Sequence, residues 1–224
     1  MIKKFFITGT DTNVGKTIVS SILLKKAATY GYRTAAYKPI SSGGKKISNI
    51  ILNNDTIILQ KSSSIQLSKK EINPIAFFEC GPPHILSYLA NHHIKQRDMS
   101  LGLKKIEKKS NWIIIEGAGG WYTPLSYQNT FSDWVKKEKL TVVIIIAIKL
   151  GCINHAILTE KAIFSEHIKC GGWIANNINP KNKYNIDYIK TLLHYIKSPF
   201  LGEIPYLQDH TQIDLSNISI TLPQ

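Results

Sequence analysis

The sequence predicts an α/β fold in which helices flank a parallel β-sheet. Apolar runs of strand length alternate with amphipathic stretches of helix length from one end of the 224-residue chain to the other. Crossover helices between parallel strands produce this pattern. A glycine-containing loop stands directly between the first apolar run and the first helical stretch. No repeat, low-complexity segment or linker interrupts the alternation, so we expect one domain over residues 1–224.

Hydrophobic periodicity predicts the individual elements. Strands are predicted at residues 3–8, 34–38, 112–116, 142–148, 172–175 and 200–204. Helices are predicted at residues 15–30, 82–91, 99–110, 131–138, 154–167 and 184–196. Residues 45–54 are polar, and we interpret them as a loop that leads into a short helix from Asp55.

The composition argues against a membrane protein and against a nucleic-acid-binding protein. The longest apolar run is far shorter than the roughly 20 residues that cross a bilayer. The apolar N-terminus also breaks before a signal peptide is complete, so we expect a cytoplasmic protein. The net charge is +13, but only Arg33 and Arg97 are arginines and the lysines are dispersed. Because nucleic-acid sites favour arginine with interleaved aromatic residues, we interpret the charge as favouring polyanionic ligands such as nucleotides.

The cysteines and histidines do not form a metal-binding pattern. Cys80, Cys152 and Cys170 are far apart and include no C-x-x-C pair, which argues against a disulfide framework and against a zinc site. His92 and His93 are adjacent, so on a helix they point in different directions and chelate poorly. We interpret them as a solvated helix end.

The strongest functional signal is the segment from Gly9 to Thr17, which follows a predicted strand and precedes a predicted helix. In that position the backbone N–H groups and the positive end of the helix form a cradle for phosphate groups. Lys16 is expected to reach the β- and γ-phosphates of ATP, and the Thr17 hydroxyl to bind Mg²⁺. The loop departs from the standard spacing, because Thr10 stands at the usual glycine position. The motif nevertheless predicts a P-loop NTPase-like fold and the use of ATP.

Three further side chains are predicted at the same edge of the sheet. Glu116 ends a buried strand, where P-loop enzymes place a metal-binding carboxylate, although a residue that merely caps the strand is the alternative. The glycines after it permit close approach of a substrate. Asp55 begins a helical stretch and is either a helix N-cap or a second metal ligand. Lys38 ends the second predicted strand and is either a surface residue or a cation for a phosphate or carbamate group.

Five motifs resemble the bacterial dethiobiotin synthase family. They are TGTDTNVGKT at residues 8–17, GYRTAAYKP at 31–39, EGAGGW at 116–121, KLGCINHA at 149–156 and GEIP at 202–205. The resemblance runs in order from residue 1 to about residue 207, and the displaced glycine of the phosphate loop is a feature of that family. It implies a homodimeric ligase that joins CO₂ to 7,8-diaminopelargonic acid while ATP is cleaved to ADP and phosphate.

The resemblance also implies roles for individual residues. Lys38 would hold the carbamate and the moving phosphoryl group, and Lys16 would stabilise the transferred phosphate. Mg²⁺ would be held by Thr17, Asp55 and Glu116. Contacts with ATP and its metal are implied for Asn13, Val14, Gly15, Lys16, Thr17, Ile18, Asp55, Glu116, Gly117, Ala118, Gly119, Asn176, Asn177, Pro205, Tyr206, Leu207 and Gln212. Contacts with the diamine are implied for Ser42, Gly117, Ala118, Leu150, Gly151, Cys152 and Asn154, and for Tyr188, which would reach the substrate carboxylate in the partner subunit. Asn13 stands where a glutamate is frequent in the family's phosphate loop, and Gln212 where the family can bring an acidic residue to the nucleotide, so the resemblance leaves these two contacts open.

Two other P-loop classes are alternatives. An amidoligase of the cobyrinate type usually carries a glutamine-hydrolysing domain, for which this chain has no length left. A partition-type ATPase that binds DNA typically has a lysine near the start of its phosphate loop, where this chain has Thr10, Asp11 and Thr12. The dethiobiotin synthase interpretation is therefore favoured.

Overall fold

The computed structural model describes residues 2–47, 50–180, 183–208 and 215–224. In these ranges the strands are β1 (Lys3–Gly9), β2 (Thr34–Tyr37), β3 (Ile40–Ser41), β4 (Lys45–Ile47), β5 (Ile50–Leu52), β6 (Ile75–Ala76), β7 (Trp112–Gly120), β8 (Thr141–Ala147), β9 (Cys170–Asn176) and β10 (Phe200–Ile204). The α-helices are α1 (Lys16–Thr29), α2 (Asn54–Ser62), α3 (Lys69–Ile72), α4 (Pro83–Leu89), α5 (Gln96–Glu107), α6 (Phe131–Lys137), α7 (Cys152–Ser165) and α8 (Asn185–Tyr195).

Six parallel strands form the central sheet, in the order β10-β9-β8-β1-β7-β2. Because β7 and β8 lie on either side of β1, the chain changes direction across the sheet at β1. Ligands of open parallel sheets bind at the carboxyl ends of the strands near such a reversal. The segments that follow β1, β7 and β2 are therefore neighbours at one edge of the sheet, which we call the carboxyl edge.

The central strands are apolar along their whole length because both of their faces are buried. Residues 113–115 of β7 and 142–146 of β8 are 0% exposed, as expected for a parallel sheet covered on both sides. The described buried apolar residues form one cluster. No helix in the described ranges is long and apolar enough to cross a membrane.

The predicted fold class is confirmed, and two local predictions are corrected. Residues 45–54 are not a loop, because β4 and β5 pair as an antiparallel hairpin with Lys45 opposite Leu52. Lys45 is exposed, so this short hairpin lacks the apolar alternation that reveals a strand. The strand predicted to end at Glu116 also continues to Gly120, which still pairs with Gly9 of β1. A glycine run has the composition of a loop, and only its tertiary pairing makes it a strand.

Candidate active site

A cleft of about 420 Å³ opens at the carboxyl edge, where the phosphate loop between β1 and α1 meets the ends of β2 and β7. Lys16 and Lys38 supply positive charge to this cleft, and Asp55 and Glu116 supply carboxylates. Its walls are formed by residues 12–18, Lys38, Ser41, Ser42, Asn53, Asp55, Ile58, Cys80 and residues 116–119. The fold therefore brings the predicted catalytic and metal-binding side chains together from separate segments of the chain.

The backbone of the phosphate loop has the shape of an anion cradle. Asn13 has φ 59° and Gly15 has φ 86°, and such left-handed residues turn neighbouring N–H groups towards one side. α1 begins directly after Gly15, so its free N–H groups face the same space. Gly9 explains the unusual spacing of the motif, since a Cβ there would lie 2.5 Å from Val14 Cγ2 and 3.0 Å from Lys16 Nζ. The displaced glycine leaves room for Lys16 to lie along the loop.

Lys16 is buried and lies against backbone carbonyl groups. Its Nζ donates to Gly119 O at 2.6 Å and to Asp11 O at 3.2 Å. Burial, opposed by the carboxylate of Glu116, lowers the pKa of Lys16 to about 8. An approaching phosphate would reverse this effect, because a nearby anion favours the charged form of lysine.

Lys38 forms the electrostatic centre of the cleft. Its Nζ lies 2.5 Å from Asp55 Oδ2 and 2.6 Å from Glu116 Oε1. The side chains of Lys38 and Glu116 are 7% and 1% exposed, whereas that of Asp55 is 37% exposed. Burial alone would lower the pKa of Lys38, but the two carboxylates outweigh it and raise the pKa above its ordinary value. Lys38 is thus a charged ammonium and not the surface residue of the alternative interpretation.

The side chains predicted to bind Mg²⁺ surround the same point. Thr17 Oγ1 donates to Glu116 Oε1 at 2.9 Å, the oxygen that also accepts from Lys38. Glu116 Oε2 is buried without a hydrogen-bond partner among the described residues. In the described part of the chain no three His, Cys, Asp or Glu side chains converge. Two carboxylates and a hydroxyl nevertheless fit Mg²⁺, which takes oxygen ligands and completes its shell with water and substrate phosphates.

Asn53, and not Asp55, is the N-cap of α2. The Asn53 side chain accepts a hydrogen bond from Asp55 N at 2.8 Å, so the Asp55 carboxylate is left for Lys38. Asn53 Nδ2 also donates to Ser42 O at 2.8 Å and ties the Ser42 segment to the helix. The sequence interpretation missed Asn53, although an asparagine before a helix is an ordinary N-cap signal.

A second pair of charged residues lies beside the phosphate loop. Lys149, which follows β8, lies with its Nζ 3.1 Å from Asp11 Oδ2, and Thr12 N donates to Asp11 Oδ1 at 2.7 Å. The hydrogen bonds from Thr12 and Lys149 lower the pKa of Asp11. Lys149 belongs to a motif that the sequence singled out, but its contact with the loop depends on the adjacency of β1 and β8.

A second cavity of about 280 Å³ adjoins the phosphate loop, and both share Asn13, Gly15 and Ile18 in their walls. Its other walls are formed by Asn176, Asn177, Ile178, Pro205, Tyr206 and Leu207. Asn176 Nδ2 donates to Val14 O at 2.8 Å, which ties the end of β9 to the phosphate loop. Asn177 Nδ2 donates to Ile204 O at 2.9 Å. Five residues with implied ATP contacts, Asn176, Asn177 and residues 205–207, therefore line one cavity next to the predicted phosphate site.

The remaining predicted substrate residues lie elsewhere in this single chain. Among the described residues that line the two cavities, none comes from the segment 150–154 or from Tyr188. Leu150 is 88% exposed, Gly151 precedes the first turn of α7, and Tyr188 lies on α8. Gln212 lies outside the described residues. The roles of these residues stay predictions.

A larger cavity of about 470 Å³ lies away from this chemistry. It is lined mainly by apolar side chains from β6, α4 and the segments around them, together with Glu79 and His92. It contains none of the phosphate loop, Lys16, Lys38 or the two carboxylates that are predicted to bind metal. The charged residues that line a cavity, and not its volume, therefore identify the candidate active site.

Comparison with known sequences identifies relatives of this chain over its whole length. A family model described as an AAA domain matches residues 3–214. An ATP-dependent dethiobiotin synthetase BioD of Buchnera aphidicola subsp. Acyrthosiphon pisum (strain 5A) is 70% identical over 224 residues, which is 100% of each chain. The ATP-dependent dethiobiotin synthetase BioD 1 of Escherichia coli (strain K12) is 45% identical over 212 residues, covering 95% of this chain and 94% of the relative.

Comparison with solved structures supports the fold alone. The septum site-determining protein MinD complexed with Mg-ADP from Pyrococcus horikoshii OT3 aligns with a TM-score of 0.55 at 13% identity, covering 92% of this chain and 82% of its own. An apo McdA structure from Cyanthece aligns with a TM-score of 0.56 at 13% identity, covering 96% and 92%.

Proposed function

Because the chain belongs to the family of ATP-dependent dethiobiotin synthetases, we propose that it forms the ureido ring of dethiobiotin from 7,8-diaminopelargonic acid and CO₂, with cleavage of ATP to ADP and phosphate. The chain acts as a single domain. The observation that carries the proposal is the Lys38 ammonium between the carboxylates of Asp55 and Glu116, beside a phosphate loop. This arrangement supports the proposal, because a γ-phosphoryl group bound in the phosphate loop would meet positive charge and carboxylate oxygens there.

ATP binds with its phosphates in the phosphate loop and its base in the second cavity. Lys16 exchanges its carbonyl partners, Gly119 O and Asp11 O, for phosphate oxygens, which form stronger charge-assisted hydrogen bonds. Asn176 and Asn177 contact the adenine, and residues 205–207 flank it. The support for this placement is that the two cavities adjoin each other through shared walls.

Thr17, Asp55 and Glu116 hold Mg²⁺, which neutralises phosphate charge when it is bound. The supporting observation is the buried Glu116 Oε2, which lacks a partner among the described residues. A buried carboxylate oxygen in that state is costly unless a cation or donor reaches it.

The reaction proceeds in three steps. One amine of the diamine attacks CO₂ and loses a proton, which gives a carbamate. A carbamate oxygen attacks the γ-phosphorus, and the bond from that phosphorus to the bridging oxygen of ADP breaks. The second amine attacks the carbon of this mixed anhydride, phosphate leaves with the bonding electrons, and loss of a proton completes the ring. Lys16 and Lys38 stabilise the negative charge of the moving phosphoryl group by fixed electrostatic contacts.

The diamine lies between the phosphate loop and a second copy of the chain. Ser42, Gly117 and Ala118 border it on the side of the ATP cleft. The segment 150–154 and Tyr188 complete the site in a homodimer. Leu150 is 88% exposed, Asn154 is exposed on α7 and Tyr188 is partly exposed, so these side chains are available to a partner subunit, whereas Cys152 is buried.

The test is the formation of dethiobiotin. Purified protein is incubated with the diamine, bicarbonate, Mg²⁺ and ATP, and dethiobiotin is detected by mass spectrometry, with each component omitted in turn. Lys38→Met is expected to lower turnover by about 100-fold or more, since it removes charge stabilisation of the transition state. Lys4→Met is the matched control, because Lys4 pairs with Glu107 at the opposite end of β1. No dethiobiotin from the wild-type protein under these conditions would contradict the proposal.

A further inference from the structure

Asn73 is a buried amide that lies next to the candidate active site without lining it. It follows α3 directly, is 7% exposed, and belongs to none of the motifs singled out in the sequence. Every hydrogen-bonding position of its side chain is used. Nδ2 donates to Lys38 O at 2.8 Å and to Ile75 O at 3.1 Å. Oδ1 accepts from Ser41 Oγ at 2.6 Å and from Thr56 Oγ1 at 3.4 Å.

Three of the four partners of the Asn73 side chain are, or stand next to, proposed site residues. Lys38 itself is one partner, Ser41 precedes Ser42, and Thr56 follows Asp55 in α2. An amide has two donor hydrogens and two acceptor positions on one plane. No other side chain of this size offers both two donors and two acceptors. Asn73 therefore sets the spacing between Lys38, Ser42 and Asp55.

We call the four side-chain hydrogen bonds of Asn73 the Asn73 clamp. The clamp matters most for Lys38, because the backbone of Lys38 is not paired within the central sheet. β2 is an edge strand, and its ladder with β7 ends at Tyr37. The backbone of Lys38 is held instead on both sides by the last residue of α3 and the residue that follows it. Lys38 N donates to Ile72 O at 2.7 Å, and Lys38 O accepts from Asn73. Pro39 follows and has no N–H to anchor the chain further.

We propose that Asn73 is a positioning residue for phosphoryl transfer, which fixes the Lys38 backbone and thereby aims its ammonium at the reacting group. This inference rests on the proposed function. Asn73 acts through Lys38 and does not touch the substrates. Because a misplacement of about 1 Å can cost about 100-fold in rate, loss of the clamp reduces turnover while the ATP contacts of the phosphate loop and the second cavity persist.

The experiment compares two buried asparagines. Asn73→Asp keeps the size of the side chain and its acceptor oxygen. It replaces Nδ2, which donates to Lys38 O and Ile75 O, by a second oxygen that cannot donate to these carbonyl groups. Asn185→Asp is the matched control, because Asn185 is 5% exposed and donates to Asn177 Oδ1 at 3.0 Å beside the second cavity. Calorimetric titration with Mg²⁺-ATP counts the intact sites in each protein, and kcat is expressed per ATP-binding site.

For Asn73→Asp we expect kcat per site to fall about ten-fold or more, with the KM for ATP changed by less than about three-fold. For Asn185→Asp we expect the reverse, a raised KM for ATP and a kcat per site within about two-fold of wild type. If the carboxylate at position 73 prevents folding, Asn73→Ser removes the donated bonds without adding charge and gives the same readout. An unchanged kcat per site would overturn the role of Asn73, whereas failure of the wild-type protein to form dethiobiotin would overturn the proposed function instead.

Discussion

Replacing Lys38 by methionine tests whether its ammonium compensates the carboxylates that are proposed to bind Mg²⁺. Methionine has a similar length but no charge, so Asp55 and Glu116 lose the cation that lies 2.5 Å and 2.6 Å from them. Without metal, the variant is therefore expected to be less stable than the wild-type protein. A divalent ion can then take the freed position without competing with an ammonium.

The size of the effect follows from the burial of each carboxylate. Breaking a buried ion pair by removing one partner costs about 3–5 kcal/mol, because the remaining charge is uncompensated. Glu116 is such a charge, at 1% exposed, although Thr17 still donates to it. The Asp55 side chain is 37% exposed, so loss of its ion pair with Lys38 adds at most about 1 kcal/mol. We expect a loss of about 3 kcal/mol, which lowers the Tm of a chain of this length by roughly 6–12 °C.

The assay is thermal unfolding followed by circular dichroism, in EDTA and in a series of Mg²⁺ concentrations without nucleotide. Lys38→Met is expected to regain most of its lost stability in Mg²⁺, by mass action, and to bind Mg²⁺ more tightly than the wild-type protein in calorimetric titration. Lys4→Met removes the partner of Glu107 in an ion pair whose side chains are 26% and 23% exposed. This variant should lose less than about 1 kcal/mol, independently of Mg²⁺. Equal losses in the two variants in EDTA, or equal Mg²⁺ affinity in Lys38→Met and wild type, would refute the reasoning.

Three further predictions concern the metal, the dimer and acid stability. Thr17→Val is expected to raise the Mg²⁺ concentration needed for half-maximal activity, whereas Lys16→Gln lowers turnover at saturating Mg²⁺; an unchanged requirement in Thr17→Val would remove Thr17 from the metal site. When Lys38→Met and Tyr188→Ala chains are mixed and exchange subunits at random, about half of the dimers are mixed and about a quarter of all active sites are intact. Verified exchange without a gain in dethiobiotin formation would contradict a site shared between subunits. A hydrogen bond from Lys109 lowers the pKa of Glu71 from 4.5 to about 2. The stability that this ion pair contributes is therefore present above pH 4.5 and is lost as the pH falls towards 2. The unfolding free energies of wild type and Glu71→Gln, about 1 kcal/mol apart near neutral pH, should converge over that range in urea titrations, and a constant difference would contradict the ion pair.

The phosphate loop shows how far local sequence patterns reach. A strand, a glycine-containing loop and a helix start are all short-range features, so the positions of Lys16 and Thr17 followed from the order of residues in one segment. Glu116 was predicted for the same reason, since an acidic residue at the end of an apolar strand stands at the carboxyl edge of a parallel sheet. The hairpin of β4 and β5 was missed, because its two three-residue strands do not alternate polar and apolar residues.

Asp55 shows where sequence patterns stop. Its position near the start of a helix agreed with an N-cap, and only the structure assigns that role to Asn53 and leaves the Asp55 carboxylate to Lys38. The two interpretations differ by the direction of one side chain. Helix-start signals do not contain that information, because several polar residues near the first turn satisfy the same preference.

The sequence by itself determined the fold class, the phosphate loop and the residue types available at the carboxyl edge, because hydrophobic period and turn chemistry act over a few neighbouring residues. Only the tertiary structure decided which of these residues touch. Lys38 meets Glu116, which is 78 positions away along the chain, because β2 lies beside β7 in the sheet. Asn73 meets Lys38 because the segment after α3 packs against the end of an edge strand. Such contacts depend on strand order and on buried hydrogen-bond geometry, which a single sequence does not display.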